Sequence, residues 1–89
     1  MRYRVNRADT GSKELIAYAK SLGFEYAHLG GSIDGLLALG REIVAVEWKG
    51  PHGTLTPTQQ KMVARGFPIW FLSRPAQIDA LKAELERKL

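Results

Sequence analysis

Apolar and polar positions change period several times along the chain, and each change marks an element. From Ser12 to Leu22, the residues Leu15, Tyr18, Ala19 and Leu22 recur at helical spacing, and Gly23 stops the pattern. Phe24–Leu29 alternates, which predicts a strand with Phe24, Tyr26 and His28 on one face. Gly30-Gly31-Ser32 reads as a loop. Two apolar runs, Leu36–Leu39 and Ile43–Val46, then flank Gly40-Arg41, the pattern of a β-hairpin with a two-residue turn. These strands are apolar on both faces, so they should be central and covered on two sides. Gly50–Thr54 forms a second loop. Thr56-Pro57-Thr58-Gln59 announces a helix, with Thr56 as N-cap, Pro57 in the first helical position and Gln59 completing a capping box. That helix runs through Met62 and Val63 to Gly66. Pro68–Leu72 is a short apolar strand. Ser73 suits the cap of a last helix from Pro75 to about Lys88, with Ile78, Leu81 and Leu85 inward. The order is α-β-β-β-α-β-α. Connections are short, so residues 1–89 should form one α/β domain, a small mixed sheet flanked by helices.

The turn fixes what lies at the hairpin's other end. With Gly40 and Arg41 central, Leu39 faces Glu42, and Asp34 falls opposite Glu47. Opposed Cβ atoms lie roughly 4.5–5.5 Å apart, where like charges weaken a sheet. Period two places Lys49 on the face of Asp34 and Glu47, beside Leu36, Ala38, Ile43 and Ala45. In such partly dehydrated surroundings a bare charge pair costs a few kcal/mol, about 4 at an effective dielectric near 20. A divalent cation between the carboxylates removes that repulsion. Magnesium suits a site of this kind, because it takes few protein oxygens and keeps several waters.

Composition narrows the classes. The chain has 89 residues, 45% hydrophobic and 25% charged, as in ordinary soluble globular domains. Cysteine is absent, which excludes disulfides, thiolate zinc sites and a cysteine nucleophile. No apolar run approaches a membrane span, and the N-terminus lacks a signal peptide's apolar core, so a cytoplasmic location is expected. Net charge is +4, from 13 basic and 9 acidic residues. Arg2, Arg4 and Arg7 cluster at the start, followed by Lys13 and Lys20. Such a cluster is either a solvated arm or a set of phosphate contacts.

In these residues the chain resembles the PD-(D/E)XK nuclease superfamily. More narrowly it resembles the virus-type replication-repair nucleases, small phage proteins related to Holliday junction resolvases. The resemblance runs from about Arg7 to Leu81. It rests on Gly31-Ser32-Ile33-Asp34-Gly35-Leu36, on Val44-Ala45-Val46-Glu47-Trp48-Lys49, and on Leu55-Thr56-Pro57-Thr58-Gln59. Ile33 stands where that family usually has proline. Ser12 stands where its first helix often has a glutamate, and Glu14 follows two residues later.

The resemblance implies a restriction-endonuclease-like core and metal-assisted hydrolysis of DNA, with branched DNA as substrate and a homodimer as the assembly. It implies that Asp34, Glu47 and the carbonyl of Trp48 hold magnesium or manganese. Lys49 would orient water or neutralise charge, and Gln59 would position water, Lys49 or phosphate. Apart from the resemblance, the clustered Arg2, Arg4 and Arg7, and His52 in the loop after Lys49, could touch DNA. Each residue also has a plainer reading. Asp34 could cap a strand end or pair with Lys49, Glu47 and Lys49 could form an ion pair, and the capping box alone accounts for Gln59. His28, Trp48, Trp70 and Phe71 suit packing, as do Phe24 and Tyr26, which could instead line a dimer edge. A non-catalytic nucleic-acid-binding or scaffolding module with the same fold is the alternative reading.

Overall fold

The computed structural model describes residues 3–50 and 53–88, with side chains from Ser12 onward. The elements are α1 (Tyr3–Ser21), β1 (Glu25–His28), β2 (Gly35–Leu39), β3 (Glu42–Trp48), α2 (Pro57–Ala64), β4 (Ile69–Leu72) and α3 (Pro75–Glu86), in the expected order. The first helix begins at Tyr3, well before the Ser12 that apolar spacing marks. No proline precedes Pro51, so the helix extends past its apolar stripe without a missing backbone donor.

The sheet order is β1-β2-β3-β4. β1–β2 and β2–β3 are antiparallel, and β3–β4 are parallel. A parallel neighbour cannot be reached by a tight turn, and the segment containing α2 makes the crossover. Thr56 caps α2 with the full capping box that the sequence predicts. At α3 the cap differs. The N-cap is Arg74, and the Gln77 Oε1 accepts from the backbone N–H groups of Ser73 (2.6 Å) and Arg74 (3.1 Å). Gln77 thus satisfies the N–H groups that lead into the helix, and the Ser73 hydroxyl donates to the same oxygen at 3.2 Å instead of accepting from the first turn.

The core lies on one face of the sheet. Leu37, Val46, Trp48 and Leu72 pack there against Ala19 of α1, against Phe24, and against Ile78, Leu81 and Leu85 of α3. Leu15, Ile16, Tyr18 and Leu22 close in around them. The Tyr18 hydroxyl donates to Asp79 Oδ1 at 2.6 Å and ties α1 to α3. Cover on two sides, expected from the doubly apolar hairpin, holds for this face alone. On the other face Leu36, Ala38 and Ala45 are half-buried, and Ile43 is 63% exposed. The described part of α2 sends one buried residue inward, and that residue is the polar Gln59. Among the described residues, no helix is long and apolar enough to cross a membrane.

Candidate metal and nucleic-acid site

Hairpin register is the first determinant of the site. Leu39 pairs with Glu42, and the ladder runs without a bulge to Gly35 and Val46. Gly40 has φ +63°, the left-handed conformation that a tight turn needs and glycine supplies. Asp34 and Glu47 therefore occupy the next opposed positions, as the sequence predicts.

Their contacts go further than the strand rule anticipates. The backbone N–H of Asp34 donates to Glu47 Oε1 at 2.9 Å, and the N–H of Trp48 donates to Asp34 Oδ2 at 2.8 Å. Two side chains thus replace main-chain acceptors where the ladder ends. Lys49 Nζ lies 3.6 Å from Glu47 Oε2, with both side chains largely shielded at 17% and 13% exposure. The repulsion inferred from sequence is accordingly compensated in part within the chain. Asp34 is stabilised by one N–H, and Glu47 by another and by the ammonium group.

Asp34 is also held from the β1 side. Its carbonyl accepts from the N–H of Leu29 at 2.8 Å and from the Tyr26 hydroxyl at 3.4 Å. The same hydroxyl accepts from Trp48 Nε1 at 3.1 Å, and the two rings meet edge to face with centroids 5.7 Å apart. Tyr26 is therefore a member of the site that sequence reasoning assigned only to packing or a sheet edge. The available signal was Gly35. A Cβ there would lie 2.7 Å from the Tyr26 ring and 2.3 Å from the Ala27 carbonyl oxygen. A glycine inside an apolar strand thus marks where that ring crosses toward Trp48. Burial raises the Tyr26 pKa above its usual 10.0, and the charges of Asp34 and Glu47 add to this, against a lowering by the Trp48 hydrogen bond.

Gln59 is 2% exposed, and both ends of its amide are engaged. Oε1 accepts from the Thr56 N–H at 3.1 Å, and Nε2 donates to the Ser32 carbonyl at 3.0 Å. Its link to the site runs through the loop that delivers Asp34. Gln60 is exposed and bonds the Leu55 carbonyl. Trp48 is 8% exposed and packs in the core, as its strand position requires. Ser12 lines a cavity together with Asp34, whereas Glu14 is exposed and outside that lining. Arg2 and His52 fall outside the described residues, as do the side chains of Arg4 and Arg7.

The donor set can be tested against a cation. After their main-chain bonds, Asp34 retains Oδ1 and Glu47 retains Oε2, which faces Lys49. The Trp48 N–H points toward Asp34, and in an extended strand the carbonyl of a residue leaves on the same side as its N–H. Two carboxylate oxygens and a carbonyl fit magnesium or manganese, which accept hard oxygens and complete their shell with water. Among the described residues, no group of three or more His, Cys, Asp or Glu side chains converges, so any cation here would rest on this smaller set. Comparison of the chain with protein-family models, curated proteins and solved structures finds no match.

Proposed function

We propose that the chain is a magnesium- or manganese-dependent endodeoxyribonuclease that hydrolyses phosphodiester bonds, with branched DNA as its substrate. The observation that carries this reading is the meeting of Asp34, Glu47 and Lys49 at the open end of one hairpin. Asp34, Glu47 and the Trp48 carbonyl would hold the cation. When bound, it would polarise the scissile phosphate and acidify a water. Lys49, kept in place by Glu47, would stand to meet the negative charge that builds on the phosphate as water attacks. Gln59 acts one step back, by fixing Ser32 and with it the approach to Asp34. Water would supply the new P–O bond as the bond from phosphorus to one sugar oxygen breaks, the departing oxygen taking a proton from solvent, and no side chain bonds to phosphorus. Symmetric cleavage of a four-way branch requires paired sites, and each chain carries one, so a two-fold homodimer is the working assembly.

The backbone bonds made by Asp34 and Glu47 favour one rival, a non-catalytic nucleic-acid-binding module in which the carboxylates only close the hairpin. Cleavage of labelled branched and linear DNA in magnesium separates the two, comparing wild type with Asp34→Asn and Glu47→Gln. Cutting by wild type, lost in both variants while DNA binding persists, supports the nuclease. Equal background in all three, with binding intact, supports the module.

A further inference from the structure

On the α1 side of Asp34 lies a cavity of about 320 Å³, lined by Ser12, Lys13, Ile16, Tyr26, His28, Asp34 and Trp48. This volume is at the lower end of small-ligand sites, large enough for a single planar ring system. Its walls are of two kinds. Ile16 and Tyr26 offer aliphatic and aromatic surface, with the largely buried Trp48 behind them. Ser12, Lys13 and His28 offer a hydroxyl, an ammonium and an imidazole. Lys13 and His28 are exposed and Ser12 is half-buried, so these polar groups are open to solvent. Stacking surface with a few hydrogen-bonding groups and one cation is the chemistry that takes up a nucleobase and its flanking phosphate.

We infer that this cavity is a subsite for one unpaired nucleobase, next to the position of the phosphate addressed by Asp34 and Glu47. The inference rests on the proposed nuclease reading for that phosphate, and it narrows the substrate to DNA with an unstacked nucleotide beside the cut. Asp34 joins the two places, since it lines the cavity and pairs with Glu47 through its N–H. A base stacked and paired within a duplex has neither face free, and only an extruded or single-stranded nucleotide can enter. Branch points, flaps and gaps provide such nucleotides.

The test measures binding in EDTA, where no cleavage occurs, using a short single strand of mixed sequence, an abasic strand of equal length and the matching duplex. Wild type should bind the base-bearing strand about tenfold or more tightly than the abasic one, the worth of one stacked base. Ser12→Phe, which fills the mouth, should abolish that preference and keep the salt-sensitive attraction to the abasic strand. His28→Trp, at an exposed strand position, serves the same purpose should Ser12→Phe fail to fold by circular dichroism. Equal affinity of wild type for the two strands overturns the inference, as does a preference that survives a folded mouth-filling variant. Magnesium cleavage assays run in parallel keep the two proposals apart. Base preference without cutting supports the subsite and removes the nuclease. Cutting without base preference retains the nuclease and overturns the subsite.

Discussion

Asp34 has a structural task as well as a proposed chemical one, and substitutions can separate them. Asparagine retains a carbonyl oxygen to accept from the Trp48 N–H, whereas alanine leaves that donor without its partner. Asp34→Ala should therefore lose about 1–3 kcal/mol in urea unfolding, and Asp34→Asn less than about 1 kcal/mol. Magnesium should raise the melting temperature of wild type and leave that of Asp34→Asn unchanged, because only a ligand of the folded state stabilises it. Tyr26→Phe tests the hydroxyl that joins Trp48 to Asp34. Folding raises the Tyr26 pKa above 10.0, so the unfolded chain gives up the proton first as pH rises. The stability lead of wild type over Tyr26→Phe, about 1 kcal/mol, should be complete below pH 10 and shrink above it, as read from denaturation midpoints across that range. At this scale the sequence was only partly legible. Period-two reasoning placed Asp34 and Glu47 opposite each other. It treats side chains as leaving the sheet, though, and so could not show them accepting from its N–H groups. Gln59 was legible as a capping residue. Its second bond, to Ser32, spans 27 positions and leaves no local pattern.

Among the elements, the hairpin was the most legible, because a two-residue turn admits one register and every later pair follows from it. The start of α1 was not legible, since residues without apolar spacing carry little helical signal. The α3 cap was misplaced by one residue: the helix begins after Arg74, and the Ser73 hydroxyl donates to Gln77 Oε1 instead of accepting from the first helical turn. Two glycine substitutions probe the hairpin. Gly35→Ala puts a methyl group 2.3 Å from the Ala27 carbonyl oxygen and against the Tyr26 ring. Backbone must shift to admit it, and a loss of about 1–3 kcal/mol is expected, together with weakened magnesium binding as Asp34 moves. Gly40→Ala strains only the turn at φ +63°. It should cost roughly 1–2 kcal/mol and leave magnesium binding unaltered, so urea unfolding and a metal titration together distinguish the two sites.

For the molecule as a whole, helices α1 and α3 share one sheet face, and the opposite face keeps apolar surface near Ile43. The sequence predicted cover on both faces, since a run of Leu, Ile and Val has the same composition whether its second face meets a helix or is left partly open. A net charge of +4 favours the approach of any polyanion, and the proposed function makes DNA that partner. Affinity for a branched duplex should fall linearly with salt on logarithmic axes, as counterion release requires, and the slope should match in wild type and Lys49→Gln if Lys49 addresses only the reacting phosphate once the cation is bound. The proposed two-fold assembly predicts that sedimentation across a protein dilution series shows a dimer, and a monomer at every concentration would remove it.

The carboxylate closure of the hairpin also bears on how such a chain would change over generations. On the proposed nuclease reading, selection for a stable fold and selection for hydrolysis would fall on the same acids. A lineage that abandoned the reaction would still retain Asp34 and Glu47, because two main-chain donors depend on them. Lys49 has no comparable obligation, as its ammonium pairs with the Glu47 carboxylate and caps no main-chain donor. Drift should therefore reach the lysine first, and an intact acid pair beside a replaced lysine would mark a descendant that keeps the scaffold after losing the enzyme.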